Sequence, residues 1–104
     1  MVENWLNSYL EEFILNTGLP KSDSEELFND FSVFFSSILL SLENSLDAND
    51  FLGLANFAHQ LKGASGSLLI EPVFDLALAI ENASKASDKK ECEFQIGLLK
   101  KINI

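Results

Sequence analysis

The feature that most narrows the fold is the spacing of the apolar residues, which keeps the period of an α-helix through most of the chain. Between residues 27 and 42 the positions are Leu27, Phe28, Phe31, Phe34, Phe35, Ile38, Leu39 and Leu42. Steps of three and four gather such residues on one side of a helix, whereas a strand needs alternation. No long alternating run of β-branched residues occurs, so there is little from which to build a sheet. Five of the nine phenylalanines lie between Phe28 and Phe51, and aromatic packing should dominate that part of the core.

Four shorter segments share the period. Trp5, Leu6, Tyr9, Leu10, Phe13 and Ile14 predict a helix from Asn4 to Asn16, stopped by Gly18 and Pro20. Ser22 and Glu25 have the spacing of a capping box, so the long helix is expected to start there and run to about Asn44. Asp47 to Asp50 supply N-cap oxygens for a third helix reaching about Leu69. Pro72 suits the first turn of a fourth, which carries Val73, Leu76, Ala77, Ile80 and Ala83. Ser84 to Ser87 read as a turn, and Asp88 as the cap of a fifth helix with Phe94, Leu98 and Ile102 on its inner face. Short links between amphipathic helices predict an all-α fold: an antiparallel four-helix bundle, with an additional short N-terminal helix across one end.

The chain has 104 residues, the size of a single domain spanning 1–104. With 47% hydrophobic and 22% charged residues it has the composition of a folded globular protein. A formal charge of −9 opposes binding to nucleic acid and to anionic membranes, leaving a protein as the natural partner. A lone cysteine, Cys92, suits a reducing compartment. The N-terminus lacks the features of a signal peptide, and the apolar stretch from Phe31 to Leu42 is too short for a bilayer, which needs ~20 residues. These features predict a cytoplasmic monomer. The initial methionine and short C-terminal end point to a stand-alone protein.

The only histidine, His59, falls inside the third helix. At about 100° per residue, Leu54, Ala58, Leu61, Ser65 and Leu68 cluster roughly 180–260° away from it. They form the inward stripe, and His59 points outward with Leu52, Ala55, Asn56, Lys62, Gly63 and Gly66. A lone histidine is ordinarily a satisfied core residue or an idle surface one; its direction argues against the first and its neighbours against the second. Each glycine in a helix costs about 1 kcal/mol relative to alanine, yet Gly63 and Gly66 both lie on the histidine's face. They clear space for another protein's backbone. Lys62 brings an ammonium, a compact phosphate-binding charge, within reach of the ring. An exposed imidazole with a free nitrogen is a nucleophile. A nucleophile, a cleared surface and a cation together suggest phosphoryl transfer.

The run Ala58-His59-Gln60-Leu61-Lys62-Gly63 resembles the A-H-x-L-K-G signature of histidine-containing phosphotransfer (HPt) domains. Asp50, Leu54, Ser65 and Leu68 also sit where that family has similar residues, and residues 76–83 look like its next helix. The resemblance implies a phosphoryl carrier in a two-component phosphorelay, with no ATP-dependent kinase activity of its own. His59 would accept phosphate from the receiver domain of a hybrid sensor kinase and pass it to the receiver of a response regulator. The receiver would bring the acidic pocket and Mg²⁺, so this chain would need no cofactor and no metal. By the same resemblance Lys62 contacts the phosphoryl oxygens and Gly63 gives clearance. Gln60, Gly66, Glu81 and Lys85 take supporting places, and Leu52, Ala55 and Asn56 belong to the docking face. Glu81 falls where some relatives hydrogen-bond the other ring nitrogen, although alone it reads equally as a solvated helix glutamate. Lys85 falls where some carry a second basic residue near the phosphate. The chain departs from the family at Leu69-Ile70, where a Gly-Ala pair is common.

Two other function classes compete. One is an HPt-like module that binds receivers without exchanging phosphate; intact His59, Lys62 and Gly63 favour transfer over it. The other is a hydrolase or metal-binding bundle using Glu11-Glu12, Glu25-Glu26 or Glu91 and Glu93, but no calcium-loop spacing accompanies these pairs. No Walker-type loop or kinase signature is present in the sequence.

Overall fold

The computed structural model describes residues 2–102. A 3₁₀ turn at Asn4–Leu6 leads into α1 (Asn7–Thr17), followed by α2 (Lys21–Asp47), α3 (Phe51–Ser67), α4 (Glu71–Lys85) and α5 (Lys89–Ile102). There is no strand among the described residues. Helices α2 to α5 pack each against its chain neighbour, and α5 closes back on α2, which gives the expected antiparallel four-helix bundle. At 27 residues, or about 40 Å by its 1.5 Å rise, α2 outreaches its partners. The N-terminal segment uses that overhang. It packs along the first half of α2 at the end of the bundle where α3 turns into α4: Phe13 is 5.5 Å from Phe28 and Trp5 5.3 Å from Phe35 between ring centroids, and Tyr9, Glu12 and Asn16 line a groove with Leu69, Glu71 and Pro72. Glu3 ties the start of the chain down: its carboxylate accepts from Trp5 Nε1 at 2.9 Å and from Ser32 Oγ at 2.7 Å.

Helix boundaries follow local chemistry, with two corrections. The capping box at Ser22 does not form. Proline at position 20, with φ −56°, leads straight into α2 at Lys21, and Ser24 lies inside the first turn, donating to the Pro20 carbonyl at 3.0 Å. Both α2 and α4 also run further than expected, to Asp47 and Lys85, so Ser84 and Lys85 belong to a helix and not to a turn. One turn geometry, used three times, explains the extension. Asn49, Leu69 and Ser87 adopt left-handed φ values of 54°, 61° and 53°. The following amides of Asp50, Ile70 and Asp88 reach back to the carbonyls of Ser45, Ser65 and Ala83 at 2.8–2.9 Å. This is the Schellman closure, which satisfies the last carbonyls of one helix. The residue after each left-handed one immediately precedes the next helix, so α2, α3, α4 and α5 are joined with almost no slack. Asp50 and Asp88 complete the junctions as N-caps, accepting from Gly53 N and Glu91 N at 2.9 and 3.2 Å.

The core is built from Phe28, Phe31, Phe35, Ile38 and Leu42 of α2, Leu54, Ala58 and Leu61 of α3, Val73, Ala77 and Ile80 of α4, and Cys92, Ile96 and Leu99 of α5. The last set corrects the expectation for α5. Phe94 is 59% exposed, and the inner stripe starts at Cys92, because the tight α4–α5 junction sets the rotation of the helix. Leu27 likewise lies at the edge of its stripe and is exposed.

Candidate functional site

The site begins with the phase of α3. Asp50 caps the helix, and Leu54, Ala58, Leu61 and Ser65 are fully buried, so the opposite side faces solvent. Ser65 is accommodated in the core by donating to the Leu61 carbonyl at 2.7 Å. His59 projects outward with its side chain 67% exposed. Neighbouring Gln60, Asn56 and Leu52 are exposed and Ala55 is half-buried.

Helix α4 packs against α3 and brings Glu81 to the base of the imidazole. The Glu81 side chain is only 6% exposed, so it is not the solvated helix glutamate that the sequence equally allowed. One carboxylate oxygen, Oε2, accepts from His59 Nδ1 at 3.1 Å and lies 3.4 Å from the exposed ammonium of Lys85. The other, Oε1, accepts from Lys62 Nζ at 2.8 Å. Lys62 is itself three-quarters covered, at 24% exposure. Three bases from two helices thus converge on one buried carboxylate. Its pKa is pulled from 4.5 to about 2, mainly by the Lys62 hydrogen bond; this overcomes burial, which pushes the other way, and Lys85 and His59 add to it. An ionised carboxylate only accepts, so the hydrogen sits on Nδ1 and the lone pair on Nε2, the nitrogen across the ring.

The two glycines on this face play different parts. A Cβ at Gly63 would meet no neighbouring atom within 4 Å, so the surface one turn beyond His59 is open. Gly66 is instead a packing glycine: a Cβ there would lie 3.2 Å from the Phe74 ring on α4. That corrects its reading as clearance for a partner, since it brings α3 and α4 together. Two features escaped the sequence. Phe74 was outside the expected stripe of α4, and its role appears only once α3 lies against it. A shallow, mostly apolar groove between α2 and α3 is lined by Leu27, Asp30, Phe31, Phe34, Ala64 and Leu68. Its residues carried a helical period, which gave no sign that the edge of the stripe would remain uncovered. Among the described residues no cluster of three or more metal-ligating side chains forms, and no helix is long and apolar enough to cross a membrane.

The family model of the Hpt domain matches residues 15–102, a range that takes in all of α2 to α5. No curated protein and no solved structure matches the chain. With the family matched over most of its length and an outward histidine on the second helix of the bundle, this chain belongs to the Hpt domain family, the phosphocarrier modules that exchange phosphoryl groups with receiver domains in phosphorelays.

Proposed function

We propose that His59 is the phosphoryl carrier of this domain, accepting from the phosphoaspartate of a hybrid sensor kinase's receiver and donating to the aspartate of a response regulator's receiver. The single observation that carries the reading is the buried Glu81 carboxylate on Nδ1, which leaves Nε2 as the nucleophile on an open surface. In the forward step the Nε2 lone pair attacks phosphorus, the bond from phosphorus to the aspartyl oxygen breaks, and its electron pair leaves with the aspartate. The ring keeps its Nδ1 proton and gains positive charge, which faces ionised Glu81 as an imidazolium faces the acid of a catalytic triad. No proton need be removed. The reverse step hands the phosphoryl group to the second aspartate. Catalysis is then mostly positioning and electrostatics, and Mg²⁺ would enter with the receiver.

The face around His59 suits such a partner. Residues 51 to 70 contain no Asp or Glu in a chain that has 16, so an acidic receiver pocket would meet no like charge from α3. Exposed Leu52 and Asn56, half-buried Ala55 and open Gly63 supply docking surface, and Lys85, 65% exposed, is free to turn toward the phosphoryl group. We place the protein in the cytoplasm as a monomer. The test is incubation with a panel of phosphorylated receiver domains, following label transfer. Wild type should become labelled as an acid-labile, base-stable phosphoramidate, and His59→Gln should keep its fold and take no label. Label on His59→Gln would overturn the assignment. Tight receiver binding without any label on wild type would make the domain an interaction module.

A further inference from the structure

Lys62 stands three residues after His59, where the sequence assigns it to the phosphoryl group, yet its ammonium is occupied. It donates at 2.8 Å to Oε1 of Glu81, the oxygen that His59 does not use, while Lys85 and His59 share Oε2. The two lysines therefore differ in what their departure would cost. Lys85 is 65% exposed and 3.4 Å away, so it can swing into solvent and leave Oε2 bonded to the ring. If Lys62 left, Oε1 would lose its hydrogen bond on a side chain only 6% exposed, and a buried charged group without its partner is strongly disfavoured. The carboxylate would then rotate or shift to find another donor, and its aim at Nδ1 would go with it.

We propose that Lys62 is a positioning residue, acting on His59 through Glu81 by holding that carboxylate against Nδ1, and not by binding the phosphoryl group. The proposal deepens the proposed function and rests on it for its transfer readout. It makes a specific demand: Lys62 matters only while position 81 carries a charge. A glutamine there can still accept from Nδ1 through its amide oxygen and has no charge that needs a cation.

The experiment is a double-mutant cycle of Lys62→Met and Glu81→Gln, read in two ways. The first is the rate of label transfer from a phosphorylated receiver. Lys62→Met alone should slow transfer about tenfold, as expected for the loss of one charge-assisted hydrogen bond that orients the nucleophile. Adding Lys62→Met to Glu81→Gln should change the rate by no more than about twofold, the scatter of uncoupled sites. A full loss in the glutamine background would show that Lys62 touches the phosphoryl group and would overturn the proposal. This comparison stands even if Lys62→Met alone folds poorly, because the double variant buries no unpaired charge. The second readout is the nitrogen NMR spectrum of the His59 ring in unphosphorylated protein. Wild type and the double variant should hold the Nδ1–H tautomer, and Lys62→Met should lose part of it. An unchanged tautomer in folded Lys62→Met would also overturn the proposal. If wild type takes no label from any receiver, the proposed function fails and the tautomers alone decide the role of Lys62.

Discussion

Gly63 and Gly66 are chemically identical and one turn apart on α3, and they should answer substitution in opposite ways. At Gly63 a side chain enters open space, so Gly63→Gln should fold at least as stably as wild type, with a gain of up to about 1 kcal/mol from helix propensity. Its phosphotransfer rate should fall sharply because the new side chain covers the approach to His59. At Gly66 a Cβ presses on Phe74 at 3.2 Å, so Gly66→Gln should lose about 1–3 kcal/mol in denaturant unfolding through overpacking. Equal effects at both sites would contradict the structure. Glu81 gives the third expectation at this scale. Its folded pKa, about 2, lies below the ordinary 4.5, so ionised Glu81 contributes stability that is fully present above pH 4.5 and lost as pH falls toward 2. Unfolding curves of wild type and Glu81→Gln should converge across that window. Parallel curves would mean that the carboxylate is not held as described. That His59, Lys62 and Gly63 share the outward face of α3 was readable from helical spacing. Glu81 was not, because helix phase within α4 leaves it at the edge of the apolar stripe, and only the approach of α3 decides that it is covered.

The junctions between helices carry the strain in this fold. Asn tolerates the left-handed region through its short polar side chain, but Leu69 at φ 61° has nothing to offset the clash of its Cβ with the backbone. Leu69 is also the position at which the family resemblance implied a glycine, and the left-handed backbone gives that departure a structural cost. Leu69→Gly should raise stability by about 0.5–1 kcal/mol, the left-handed strain relieved being partly offset by greater freedom of the unfolded chain. Thermal unfolding followed by circular dichroism checks the sign; a destabilised variant would mean that the half-exposed leucine packs better than its backbone suffers. The same tight closure made α2 and α4 longer than their sequence signals. Neither end carries a glycine or a proline: α2 closes at Asn49 and α4 at Ser87, which only the hydrogen bonds of the folded turns identify.

At the scale of the whole molecule, α2 is the spine: it contributes Phe28, Phe31 and Phe35 to the core and supports α1 on one flank and α3 and α5 on the others. Phe28 is fully buried and in edge contact with Phe13, so Phe28→Ala should cost about 3–5 kcal/mol and loosen α1 together with the bundle. Loss of α1 helicity without loss of the bundle would show that the two are not one cooperative unit. The sequence by itself determined the helical class, the order of the segments, the inward stripe of α3 and the outward face of His59, because a helix's own period says which residues share a side. Only the tertiary structure decided what those sides would touch. It set the rotation of α5 that buries Cys92 in place of Phe94, the closeness of α3 to α4 that turns Gly66 into a packing residue, and the meeting of His59, Lys62 and Lys85 on one buried carboxylate. Periodicity describes one helix at a time, and these contacts depend on the relative phase of two, which is fixed where the chain turns and the cores interlock.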